Sequence, residues 1–269
     1  MKSHLKRWLT GIVAVPLLFL LILYGSEDLF SLFIFAVILL ALWECNHLTF
    51  GRQGNKTEKI EVIAFASLIV IASYLGNFQL FASVITFSVM ISLLLFIFRI
   101  RSESFNTLNL GKVIMGFMYI PLMMSYFIFI RHLHEGVLWI FLILAIAFSG
   151  DTFAYYTGKT LGKRKLHPFV SPGKTIEGTV ALIFGSTAGA LLFQYFFFRE
   201  ITVINAVVIG AVGGILGQLG DLFESAIKRE AKVKDSSSLL PGHGGIMDRI
   251  DCLCFMAPFV YYYQLFVIK

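Results

Sequence analysis

Between Gly220 and Asp251 the chain gathers charged and small polar residues that are scarce elsewhere in it. Read as a helix end, Asp221, Ser225, Lys228 and Arg229 fall at i, i+4, i+7 and i+8 and share one face. Lys234 and Asp235 follow, then Ser236–Ser238, then the turn Pro241-Gly242-His243-Gly244-Gly245, and finally Asp248, Arg249 and Asp251. Carboxylates bind hard cations such as Mg²⁺, and lysine and arginine neutralise phosphate oxygens. Glycines in the turn let backbone N–H groups come close to an anion. At a membrane surface this mixture is equipped for phosphoryl or nucleotidyl transfer to a lipid. A solvated loop between two helices is the plain alternative, but such a loop does not require Asp and Gly-Gly at fixed places.

The elements that must position these residues are membrane spans. The 269 residues are 58% hydrophobic and 14% charged, against about 25% charged in a water-soluble globule. Apolar runs recur from end to end, which is the transmembrane signal. The pattern predicts an all-α, polytopic chain of about nine helices, near 9–24, 28–44, 60–76, 78–98, 112–130, 137–157, 176–198, 203–227 and 250–268. The first four (1–110) carry almost no intramembrane chemistry, and the last five (111–269) carry the charged stretch. The first run follows Lys2, Lys6 and Arg7, is long for a signal sequence and lacks a small-residue cleavage site, so it reads as a retained helix.

Loop charge sets the expected orientation. Of the 22 basic residues, all but Arg131, Arg199 and Lys269 fall on one side of nine spans. The positive-inside rule puts that side, with the N-terminus and the charged stretch, in the cytoplasm and the C-terminus outside. The net charge of +6 therefore reads as topology and not as a nucleic-acid footprint. Cys45, Cys252 and Cys254 are too few and too apolar in setting for a disulfide framework or a zinc site. Glu44 and Trp43, at the end of the second span, read as interface anchors.

Two further places could join the chemistry. Asp151 lies inside the sixth span, where an ionisable group costs about 2.5–3.5 kcal/mol unless it faces a polar interior. A helix–helix hydrogen bond is the packing alternative. The basic loop after it ends in Ser171-Pro172-Gly173-Lys174-Thr175-Ile176-Glu177-Gly178. Gly173-Lys174-Thr175 and Gly158-Lys159-Thr160 are not P-loops, since Pro168 and Phe153 stand where each motif needs its first glycine. Ser171, Lys174, Thr175 and Glu177 read instead as the first turn of the seventh span, where the helix N-terminus favours an anion. A capped helix start with a snorkelling lysine is the alternative. In span eight, Gly210/Gly214 and Gly213/Gly217 are small-xxx-small pairs that let neighbouring helices approach.

Ser225-x-Ile227-Lys228-Arg229, four residues, Lys234-Asp235-x-Ser237, then Leu240-Pro241-x-His243-Gly244-Gly245-Ile246-x-Asp248-Arg249-Ile250-Asp251 resembles, without departure over its 27 positions, the signature of the phosphatidate cytidylyltransferases, or CDP-diacylglycerol synthases. The S-P-x-K-[ST]-x-E-G pattern over Ser171–Gly178 and the acidic D-x-x-A-Y setting of Asp151 extend the resemblance. It implies CTP and phosphatidate as substrates, with the lipid phosphate attacking the α-phosphorus and pyrophosphate leaving. It implies Mg²⁺ held by Asp221 and Asp248, with room for a second cation. Lys228, Arg229, Lys234 and Arg249 are then phosphate contacts, and His243 with Gly244 and Gly245 shapes the nucleotide loop. Ser225, Asp235, Asp251 and the Ser171–Glu177 set line the substrates. A homodimer in a bacterial plasma membrane is the expected setting, with no nucleic-acid partner. Two rivals stand beside it: another membrane lipid transferase, whose CDP-alcohol phosphotransferase form would need a D-G-x₂-A-R motif this chain lacks, and a transporter, which would explain Asp151 and the glycine-rich span but not the charged loop.

Overall fold

The computed structural model describes residues 2–51, 56–100, 107–239, 242 and 244–268, with backbone alone for 2–11 and 13. Among them are ten α-helices, the last continued by a π-helical turn, and one short β-hairpin. Seven helical segments are long and apolar enough to cross a membrane: Glu27–Phe50, Phe78–Arg99, Thr107–Arg131, Gly136–Thr160, Ile176–Phe197, Val203–Glu230 and Met247–Ile268. The chain is a polytopic membrane protein. Each of the nine expected spans coincides with a helical segment. The first contributes only a short apolar stretch, Ala14–Tyr24, and the third opens on Lys56, Glu58, Lys59 and Glu61.

The chain forms two compact units, Met1–His132 with Asp235–Met247, and Leu133–Lys234 with Asp248–Lys269. The first holds α1 (Lys2–Tyr24), α2 (Glu27–Phe50), α3 (Lys56–Tyr74), α4 (Phe78–Arg99), α5 (Thr107–Met118) and α6 (Ile120–Arg131). One expected span is thus two helices, broken at Tyr119 because Pro121 cannot continue the hydrogen-bond ladder. α6 is buried along nearly its whole length, as a helix apolar on every side must be. Phe81 meets Phe129 edge-to-face at 4.9 Å, and Phe65 meets Phe117 at 5.5 Å. Arg131 donates to Ile22 O at 2.8 Å and Gly25 O at 2.6 Å, closing carbonyls that the end of α1 leaves without partners.

The second unit holds α7 (Gly136–Thr160), β1 (Lys165–His167), β2 (Ser171–Thr175), α8 (Ile176–Phe197), α9 (Val203–Glu230) and α10 (Met247–Tyr263), the last counted here from Asp248. The small residues of α9 face two neighbours. A Cβ at Gly210 or Gly214 would lie 2.7 Å from Thr187 or Ser186 of α8, and one at Gly217 would lie 3.0 Å from Met256 of α10. Gly210 and Gly214 therefore seat α8 and Gly217 seats α10 at distances that require the missing side chains, whereas a Cβ at Gly213 would make ordinary contact, 3.7 Å from Ile146 of α7 and 3.8 Å from Met256.

The hairpin corrects one expectation. Ser171–Thr175 is a strand paired antiparallel with β1, Lys165 opposite Thr175 and His167 opposite Ser171, and not the first helical turn. Helix α8 starts at Ile176, and extended Thr175 caps it by accepting from the Gly178 N–H at 3.1 Å.

Candidate active site

The end of α9 and the start of α10 build the site. Asp221 and Glu224 are three residues apart on α9, and Asp251 stands across from them on α10. One oxygen from each of the three carboxylates lies within 4.8 Å of the others. Gly220 permits this approach, because a Cβ there would run into the Asp251 carbonyl. Glu224 has no exposed surface and meets Lys228 Nζ at 2.5 Å. Lys228 also donates to Asp248 Oδ1 at 2.7 Å. Ser225 Oγ reaches Asp221 Oδ1 at 3.4 Å, a long contact.

A second lysine arrives from the hairpin. Lys174, on β2, places Nζ 2.5 Å from Asp221 Oδ2. It lines, with Asp151, Thr175, Gly158, Gln218 and Asp221, a cavity of about 510 Å³. Asp151 opens on to this cavity. Gln218, 7% exposed, has a buried Nε2 with no hydrogen-bond partner among the described residues.

The local set thus contains Asp151, Asp221, Glu224, Asp248 and Asp251 against Lys174 and Lys228. Carboxylates this close disfavour joint ionisation unless a cation stands among them. Asp221, Glu224 and Asp251 offer hard oxygen donors, and Glu224 Oε1 is buried without a hydrogen-bond partner among the described residues. The donor set fits a divalent cation such as Mg²⁺. Asp248, expected beside Asp221 as the second ligand, is engaged by Lys228 in this structure.

The remaining expected residues fall into three groups. Arg229 donates through Nε to Val170 O at 3.1 Å and through Nη1 to Val233 O at 2.9 Å, tying the hairpin turn to the end of α9. Glu177 accepts from the Lys163 and Arg164 N–H groups at 3.1 and 3.2 Å, and with Thr175 it fixes the base of the hairpin. Lys234, Asp235 and Arg249 are exposed. His243 lies outside the described residues.

Within the first unit, the loop 235–247 corrects the reading of Glu44. This residue has no exposed surface and is no interface anchor. Its carboxylate accepts from Ser236 Oγ at 3.0 Å, Ser237 Oγ at 2.5 Å, the Ile246 N–H at 3.0 Å and the Met247 N–H at 2.8 Å. Gly242 and Gly244 hold φ of 79° and 80°, the left-handed region that glycine adopts without strain. Glu224 could have been found in the sequence, at i+3 from Asp221 and i−4 from Lys228. Glu44 could not, since its partners lie 192 to 203 residues away.

A family profile described as "Cytidylyltransferase family" matches residues 5–267. The phosphatidate cytidylyltransferase of Bacillus subtilis (strain 168) is 34% identical over 265 residues, covering 96% of each chain. That of Staphylococcus epidermidis (strain ATCC 12228) is 32% identical over 252 residues, covering 94% of this chain and 95% of the relative. That of Haemophilus influenzae is 38% identical over 141 residues, about half of each chain (50% and 48%).

Proposed function

Starting from the fact that this chain belongs to the cytidylyltransferase family, we propose that it is a phosphatidate cytidylyltransferase. A phosphate oxygen of phosphatidate attacks the α-phosphorus of CTP, the bond from that phosphorus to the bridging oxygen breaks, and CDP-diacylglycerol and pyrophosphate form. The observation that carries this reading is the cavity among apolar spans lined by Asp151, Lys174 and Asp221, beside the Asp221–Glu224–Asp251 cluster. A lipid needs the apolar walls, and a triphosphate needs the charged floor.

The residues divide the work. The attacking lipid phosphate is already ionised near neutral pH, so no strong base is required. What remains is to hold two polyanions together and to offset charge in the transition state. Lys174 pairs with Asp221, and Lys228 pairs with Glu224 and Asp248. A substrate phosphate would draw the ammonium groups from those carboxylates, which would leave Asp248 able to serve as a further ligand when the cation is bound. Asp221, Glu224 and Asp251 would hold the divalent cation, which supplies Lewis acidity and charge neutralisation when bound. Arg229, Glu177 and Thr175 keep the hairpin in place so that Lys174 reaches the cavity.

The charged stretch faces the cytoplasm, where CTP is, with the C-terminus outside, as the basic-residue distribution indicates. Reporter fusions at the two ends giving the same compartment would overturn that orientation. A bacterial plasma membrane and a homodimer accompany the reading on the strength of the relatives and the family resemblance. The deciding experiment is pyrophosphate release by purified protein given CTP and phosphatidate, with Mg²⁺ or with EDTA. We expect release that requires all three components. No release from folded protein would reject the activity, and release without phosphatidate would reject the acceptor.

A further inference from the structure

The loop 235–247 converges on a single buried carboxylate from its own compact unit. Two hydroxyls and two backbone N–H groups, Ser236 Oγ, Ser237 Oγ, Ile246 N and Met247 N, all donate to Glu44, at 2.5 to 3.0 Å. These donors come from both ends of the loop, so one side chain on α2 pins its entry and its exit. An ionised carboxylate has two oxygens and about four acceptor sites, enough for the four donors named here among the described residues. Neither an amide nor a hydroxyl could accept all four. Gly245 belongs to the same arrangement, since a Cβ there would lie about 2.5–2.6 Å from the Glu44 oxygens and closer still to Ser236 Oγ. The glycine pair that reads in sequence as a cradle for a substrate anion therefore has, at Gly245, an internal anion against it.

We propose that Glu44 is a positioning residue for nucleotide binding: it holds Ser236, Ser237 and the 246–247 backbone in one conformation, and that conformation is the one in which the loop binds CTP. This rests on the cytidylyl-transfer reading of the site, which assigns the loop to the nucleotide. Glu44 itself has no exposed surface, so it would act through the loop and not on the substrate directly. Its effect passes through Ser236, Ser237 and the 246–247 backbone, and the chain continues from Met247 directly into Asp248.

The perturbation is Glu44→Gln, which keeps shape while turning an amide NH₂ towards groups that also donate. Amide hydrogen exchange on the full-length protein reads the contact without any turnover. Ile246 and Met247 N–H groups should exchange at least about tenfold faster in the variant, a change that matches loss of one ordinary hydrogen bond. Steady-state kinetics then read the consequence. KM for CTP should rise about tenfold or more, while KM for phosphatidate stays within about twofold. Ser237→Ala, which deletes one donor and leaves the carboxylate, should move both readouts in the same direction by less. It serves if Glu44→Gln does not accumulate. Unchanged exchange at 246 and 247 would overturn the contact. Faster exchange with unchanged KM for CTP, or a fall in thermal stability with wild-type kinetics in the folded fraction, would make Glu44 merely structural. A wild-type protein that releases no pyrophosphate would sink the activity reading instead, and the exchange measurement would still decide whether Glu44 holds the loop.

Discussion

Glu224→Gln separates the cation-free cluster from the cation-bound one. The change keeps volume at a position with no exposed surface and removes the charge that Glu224 carries when ionised. Attraction to Lys228 Nζ at 2.5 Å is lost, about 7 kcal/mol at an effective dielectric constant of about 20. Repulsion from Asp221 and Asp251 is lost with it. At separations of at most 4.8 Å each pair contributes at least about 3.5 kcal/mol on the same scale when both members are ionised, so the two together offset the lost attraction or exceed it. Without divalent cation the variant should therefore be at most about 1–2 kcal/mol less stable than the wild type, since a proton that crowding places on Glu224 removes both terms together and ionisation makes them offset. With cation the balance differs, because Glu224 no longer neutralises it. If the missing ligand weakens binding about 100-fold, a concentration that saturates the wild type leaves about 2.7 kcal/mol of stabilisation unrealised. For a chain of this size that is about 5–10 °C in unfolding temperature. The assay is thermal unfolding of the detergent-solubilised protein across a Mg²⁺ titration, with pyrophosphate release measured in parallel. An unfolding temperature that climbs with Mg²⁺ as steeply in Glu224→Gln as in wild type would refute the three-carboxylate site. A large loss of stability before any cation is added would show that the Lys228 pair outweighs the repulsion, and the reasoning about balance would fail.

Three further outcomes follow from the same geometry. Asp221→Asn should abolish turnover, since a neutral amide is a poor Mg²⁺ ligand and also loses Lys174, while Lys232→Ala, at an exposed position, should keep at least about half the wild-type rate in the same pyrophosphate assay. Asp151→Asn should insert normally yet lower turnover about tenfold or more, because the amide keeps the shape of the cavity wall and loses its charge. Full activity in well-expressed protein would leave Asp151 without a part in the site. Gly220→Ala should cost about 1–3 kcal/mol and reduce Mg²⁺ affinity, because the added methyl meets the Asp251 carbonyl and separates α9 from α10. Wild-type Mg²⁺ dependence in that variant would mean the helices part without disturbing the cluster.

Much of this protein is legible along the chain because the bilayer imposes a simple local rule. A backbone in lipid must satisfy its own hydrogen bonds, so long apolar runs become helices and their ends can be read within a few residues. The break at Tyr119 was missed because the apolar run passes through it and only Pro121 marks it. The hairpin was missed for the opposite reason. Ser171-Pro172-Gly173 resembles a helix entry, where proline is welcome, and only pairing with Lys165–His167 makes it a strand.

The site divides along the same line. Helical spacing alone put Asp221, Ser225 and Lys228 on one face, and the signature marked the loop and Asp248, Arg249 and Asp251 as belonging to the chemistry. Spacing on one helix says nothing about which carboxylate of the next helix stands opposite. The approach that Gly220 permits decided that Asp251 joins Asp221 and Glu224, while Asp248, a turn earlier, meets Lys228. Lys174 reaches Asp221 only because the hairpin folds back across the end of α9. Glu44 is the extreme case. Nothing within a helical turn distinguishes it from an interface anchor, and its meaning comes from donors about 200 residues away that no local periodicity can reach. A buried carboxylate has to be matched by donors wherever the chain brings them, and that is a property of the packed structure, not of neighbours in sequence.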